Sequence, residues 1–101
     1  MTRFKYTFSS VAYEELKKSF DFYEVRKQGL GDSFEKHVED QLEFLSQHPF
    51  SFPIYSNNAR RMVLKDFPFS ILYIADEENR IIKIIAVWHS SCNPKILKSR
   101  I

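Results

Sequence analysis

The residues of this sequence best equipped for chemistry are its cations. Arg60 and Arg61 stand side by side, Lys65 follows four positions on, and His89, Lys95, Lys98 and Arg100 gather toward the end. Guanidinium groups hold phosphates or carboxylates through paired hydrogen bonds, and an imidazole can give or take a proton near neutrality. A strand from Ala59 to Lys65 would alternate its side chains and set Arg61, Val63 and Lys65 on one face. If that strand lay beside the last one, Arg60, Arg61, Lys65, His89, Lys95, Lys98 and Arg100 would line one basic groove, suited to an anionic target or partner.

Other chemistries lack their parts. Three histidines (His37, His48, His89) and one cysteine fall at no metal-ligand spacing, so no metal residues are assigned. Both glycines lie close together at Gly29 and Gly31, leaving no glycine-rich loop to cradle a nucleotide, and no cofactor is expected. Glu35, Glu39 and Glu43 recur every four residues, the pattern of a solvated helix face. Cys92 follows His89 by three positions, a spacing too loose to define a nucleophile and its base.

These residues must be held by something. Phe4 to Phe8 alternates apolar and polar and predicts a strand, after which Ser9 or Ser10 can cap a helix. Ala12, Leu16, Ser19/Phe20 and Tyr23 then recur at three and four, with Glu14, Glu15, Lys17, Lys18 and Asp21 expected on the opposite, solvated face. Gly29-Leu30-Gly31 stops this helix. Asp32 starts a second, three residues before Glu35 in the manner of a capping box, with Phe34, Val38, Leu42 and Leu45 as its stripe. It should end near His48, ahead of Pro49. Three strands follow: Ala59 to Lys65, Phe69 to Ala75, and Ile81 to Trp88, the last apolar on both faces except at Lys83. Asn93-Pro94 opens a short final turn. The order β-α-α-β-β-β is an α+β design, an antiparallel helix hairpin on one face of a small, mainly antiparallel sheet, with Phe20, Phe22, Phe34 and Phe44 packing the hairpin.

Composition agrees. At 101 residues and 44% hydrophobic, the chain predicts one domain spanning 1–101, with 89–101 as a basic tail, and can bury a core unaided. The single Cys92 cannot close an internal disulfide, which fits a reducing, cytoplasmic setting. No apolar run approaches the ~20 residues of a membrane span, and no signal-like apolar region follows the first basic residues. The net charge of +2 hides a division: residues 1–50 hold seven Lys/Arg against nine Asp/Glu, and residues 51–101 hold eight against four. A basic second half fits an anionic partner.

The ordered set Gly29-Leu30-Gly31-Asp32-Ser33-Phe34, Leu45…His48-Pro49, Arg61…Phe67-Pro68-Phe69-Ser70-Ile71-Leu72-Tyr73, Ile85-Ala86-Val87-Trp88-His89…Asn93-Pro94 and Arg100 resembles the RelE/ParE toxin superfamily of type II toxin–antitoxin, or plasmid stabilisation, modules. The resemblance covers Phe4 to Arg100 and implies the β-α-α-β-β-β fold. It implies growth inhibition, a cognate antitoxin protein as partner, and contact with operator DNA only through that antitoxin. Two mechanisms are implied by different branches: ParE-like binding of a target such as DNA gyrase, and RelE-like cleavage of mRNA on the ribosome. For cleavage, Arg61, Lys65 and His89 would be the catalytic set. Ser70 stands where a RelE-like catalytic Arg would precede Leu72-Tyr73, Val63 replaces a second cation, and the tail carries no Tyr. These departures bring the sequence nearer the ParE-like branch, although Cys92 replaces the Arg common before Asn93-Pro94 and no Trp stands near Leu97. A degenerate, non-toxic member is the remaining alternative.

Overall fold

A computed structural model describes residues 3–100, with the side chains of Ile96 and Lys98 outside that description. The chain runs through β1 (Lys5–Phe8), α1 (Ser10–Arg26), α2 (Leu30–Gln47), β2 (Ile54–Ser56), β3 (Ala59–Val63), β4 (Phe69–Asp76), β5 (Ile81–His89) and α3 (Pro94–Lys98). The strands form one sheet in the order β1-β5-β4-β3-β2. β1 pairs with β5 in parallel, and the other neighbours are antiparallel. The α+β layers are those expected. The sheet is wider by β2, whose three residues of broken alternation leave no periodic signal.

Local chemistry sets the helix ends. Ser9 caps α1, its Oγ accepting from the Ala12 N–H at 3.1 Å. The turn to α2 differs from the capping box expected at Asp32: Gly29 is the cap, with φ of 86°, and Asp32 already lies in the first helical turn. The open N–H groups find a carboxylate elsewhere. Glu24 of α1 accepts from Gly29 N and Gly31 N, each at 3.0 Å, placing negative charge at the positive end of α2. Gly31 is therefore a helical residue and not part of the turn. A Cβ there would stand 2.8 Å from the Phe20 carbonyl oxygen, so its absence lets the two helices approach.

Phe34, Val38, Leu42 and Leu45 bury the expected stripe of α2 against Met62, Ile71, Tyr73, Ile82 and Ile84 of the sheet. Phe34 sits among aromatics, 5.1 Å from Phe67 and Phe69 and 5.3 Å from Tyr23. The buried Tyr73 hydroxyl donates to the Pro49 carbonyl at 2.8 Å and ties β4 to the end of α2. Phe22 and Phe44, expected in the hairpin packing, are instead 44% and 48% exposed. The opposite face of the sheet carries a smaller cluster, Leu72, Ala86 and Leu97, with Tyr55, Ile85 and Trp88 against it. Through Leu97, α3 covers part of that face.

Candidate functional site

The sheet divides the cations. In β3, Met62 joins the helix-side core, so alternation sends Arg60 to that side and Arg61 and Val63 to the other. On the outer face the register builds two rows: Arg61–Leu72–Ala86 and Val63–Ser70–Trp88. The Arg61 Nε donates to Ser70 Oγ at 2.9 Å, and its guanidinium lies 5.9 Å from the Tyr55 ring centre. Val63 is 59% exposed beside it. β3 ends at Val63, so Lys65 lies in the exposed bend beyond the strand and not in its alternation.

Arg60 is committed to the backbone. Its Nη1 donates to the Phe52 carbonyl at 2.6 Å and the Phe50 carbonyl at 3.3 Å, fastening the segment after α2. His89 faces the helix side, its ring edge-on to Phe69 at 5.0 Å. Its Nδ1 accepts from the Ser91 N–H at 3.0 Å and contacts Ser91 Oγ at 2.7 Å. Lys95 is exposed in α3, and the Lys98 side chain falls outside the described residues. β4 separates β3 from β5, so Arg61 and His89 are neither on neighbouring strands nor on the same face. One continuous basic groove does not form.

Arg100, expected as a surface cation, is bound instead. Its Nη1 and Nη2 donate to the two carboxylate oxygens of Glu15 at 2.8 and 2.9 Å, and Nη1 reaches the Ile85 carbonyl at 3.3 Å. The hydrogen bonds it donates to the Glu15 carboxylate hold the guanidinium even more firmly protonated than usual. Glu15 in turn accepts from the Val87 N–H at 3.1 Å. Helical periodicity alone predicts a solvated Glu15 on the outer face of α1. Its position three residues from Ala12 and four from Ser19, both buried, is the signal that puts it beside the packed stripe.

A groove of about 360 Å³ runs between α1 and β5, lined among others by Lys18, Phe22, Phe69, Val87, Trp88 and His89. Cys92 also borders it and is exposed. Among the described residues no three His, Cys, Asp or Glu side chains gather as a metal site, and no helix is long and apolar enough to cross a membrane.

The family model for the ParE toxin of the type II toxin–antitoxin system parDE matches residues 6–94. Among curated proteins no relative matches in sequence. In fold, the chain is similar to the chromosomal ParDE toxin–antitoxin system from P. aeruginosa, with a TM-score of 0.69 and 18% identity over 86% of this chain and 96% of that one. It is similar to the intact E. coli RelBE complex at 0.69 and 14%, covering 88% and 99%. The RelBE2 complex from Mycobacterium tuberculosis gives 0.63 and 17%, covering 87% and 99%.

Proposed function

We propose, because this chain belongs to the family of ParE toxins of type II toxin–antitoxin systems, that it arrests growth in the cytoplasm by binding a protein target such as DNA gyrase. A cognate antitoxin neutralises it, and operator DNA is met only through that antitoxin. The observation that carries this reading is the composition of the outer sheet face. An exposed arginine shares this face with two aromatic rings, Tyr55 and Trp88, the residue types enriched at protein-binding hot spots, and an exposed valine lies beside them. Cleavage asks for more. A ribonuclease needs a base, a phosphate-binding cation and a proton donor converging on one bond, whereas Arg61 and His89 lie on opposite faces of the sheet. The charge division supports an acidic antitoxin segment as the partner of the basic second half.

Induced expression of the chain without antitoxin should halt growth, and normal growth would sink the toxin reading. Purified protein added to a gyrase supercoiling assay and to ribosomes carrying mRNA separates the two mechanisms. Inhibited supercoiling with intact transcripts is expected. Cleaved transcripts with unaffected supercoiling would replace the gyrase reading with ribosomal mRNA cleavage.

A further inference from the structure

Ser70 is 2% exposed in β4, between the buried apolar side chains of Phe69 and Ile71. A buried hydroxyl needs a hydrogen-bond partner to offset its lost hydration. The other buried serines find theirs on their own helices: Ser19 donates to the Glu15 carbonyl and Ser46 to the Glu43 carbonyl. Ser70 instead accepts from a side chain, the Arg61 Nε at 2.9 Å. The register sets Ser70 opposite Val63 and Leu72 opposite Arg61. The two partners therefore meet on the diagonal, a span that a long side chain reaches. From the other side, β2 brings the Tyr55 ring, its centre 5.9 Å from the guanidinium carbon.

The choice of nitrogen matters. A guanidinium offers a carboxylate two paired faces, one through Nε and an Nη, the other through both Nη groups. Ser70 occupies Nε and so closes the first. Among the described residues neither Nη of Arg61 has a hydrogen-bond partner. Arg100 gives both of its own to Glu15, and Arg60 gives Nη1 to two carbonyls. Arg61 is anchored at its inner nitrogen and open at its outer pair. Its surroundings select among anions. The rows Arg61–Leu72–Ala86 and Val63–Ser70–Trp88 hold one cation, and Val63 beside it is 59% exposed. A nucleic-acid strand calls for a track of cations along its phosphates. A single fork in an apolar setting fits one carboxylate flanked by apolar side chains.

We infer that Ser70 is a positioning residue: it holds Arg61 so that both Nη groups receive, end-on, an aspartate or glutamate carboxylate of a protein partner. This deepens the reading of the outer sheet face given above and rests on it. Holding the guanidinium beforehand removes part of the ordering cost that a long, flexible side chain otherwise brings to binding.

The test uses the full-length chain, arginine side-chain NMR and two probes: a hexapeptide alternating leucine and glutamate, and an oligouridylate of equal charge. In the wild type the Arg61 Hε should exchange slowly, and the peptide should shift the Nη signals while leaving Nε in place. Ser70→Ala should speed Hε exchange by about tenfold, the expectation for a lost hydrogen bond from a charged donor. It should also weaken peptide binding by about threefold to tenfold, the ordering cost of one long side chain. The peptide should then shift Nε as well, the sign of a side-on pair, which a general loss of packing would not produce. A folded Ser70→Thr restores the hydroxyl and should bring both readings back. Arg61→Lys keeps the charge without the fork and should bind at least as weakly as Ser70→Ala, so it decides if that variant fails to fold. Unchanged Hε exchange or peptide affinity in folded Ser70→Ala, an Nε shift in the wild type, or tighter binding of the oligouridylate would each overturn the inference. Induced expression keeps the two readings apart. Growth arrest by a chain whose Nε shifts with peptide sinks the positioning inference alone, and normal growth with the Nη shift intact sinks the toxin reading alone.

Discussion

Whether a side chain in this molecule is available to a partner depends on the hydrogen bonds it already makes. Arg100 spends its guanidinium on Glu15, the two side chains being 22% and 20% exposed. Arg100→Ala leaves that carboxylate half-stranded and should cost about 1–3 kcal/mol, measured by urea denaturation. Arg61 makes one side-chain hydrogen bond, to Ser70, on an otherwise open face. Arg61→Ala should change stability by less than about 1 kcal/mol while abolishing growth arrest on induced expression. Unaltered toxicity in a folded Arg61→Ala protein would remove the outer face from the mechanism. Tyr73 gives a pH signature. Burial pushes its phenol from the ordinary 10.0 up to about 12. The folded state therefore holds that proton more tightly than the unfolded chain, so the contribution is intact below pH 10.0 and is lost as pH rises toward about 12. Tyr73→Phe should be less stable by about 1 kcal/mol at neutral pH, having lost the bond to Pro49. Across that alkaline window its stability should fall less steeply than the wild type's.

The helix hairpin shows how an element's boundary is settled by a neighbour. Glu24 closes the N-terminus of α2 from the preceding helix, and Gly31 permits the contact that brings it there. Glu24→Ala should cost about 1–2 kcal/mol, the range of a lost helix cap with its favourable charge. The two glycines separate by mechanism. Gly29 has a left-handed φ but open space around it, so Gly29→Ala pays only the conformational term of about 1 kcal/mol. Gly31→Ala drives a methyl against the backbone of α1 and should destabilise more than Gly29→Ala in thermal melts. The reverse order would show that the turn, and not the helix contact, controls the hairpin.

At the scale of the whole molecule, the sheet has two working sides. One is sealed by α1 and α2 through a core that includes Phe34, Leu42, Leu45 and Tyr73. The other is covered only in part, by α3 through Leu97, and leaves Arg61 and Val63 in the open. If the proposed acidic antitoxin docks on this face, its binding should weaken with salt, since the screening length shortens from about 10 Å at 0.1 M to about 3 Å at 1 M. Val63→Glu should leave the melting temperature unchanged and lower antitoxin affinity, read by calorimetry at fixed ionic strength. An affinity indifferent to both salt and Val63→Glu would place the partner elsewhere.

Local physics wrote much of this fold into the sequence. The four-residue stripe of α2, the cap at Ser9, the break before Pro49 and the apolar run of β5 each depend on spacing within a few residues. The family pattern rests on the same short-range marks. The pairing of charges does not. Glu15 and Arg100 meet across 85 positions, and the strand order that puts β4 between Arg61 and His89 follows from how five strands close into one sheet. Periodicity names the face a side chain occupies on its own element, but its partner is chosen by the packing of elements distant in sequence. The sequence alone therefore determined the two long helices and four of the five strands, their layering and a basic second half. Only the tertiary structure decided which cations are bound inward, at Arg60 and Arg100, and that Arg61 stands on the open face of the sheet.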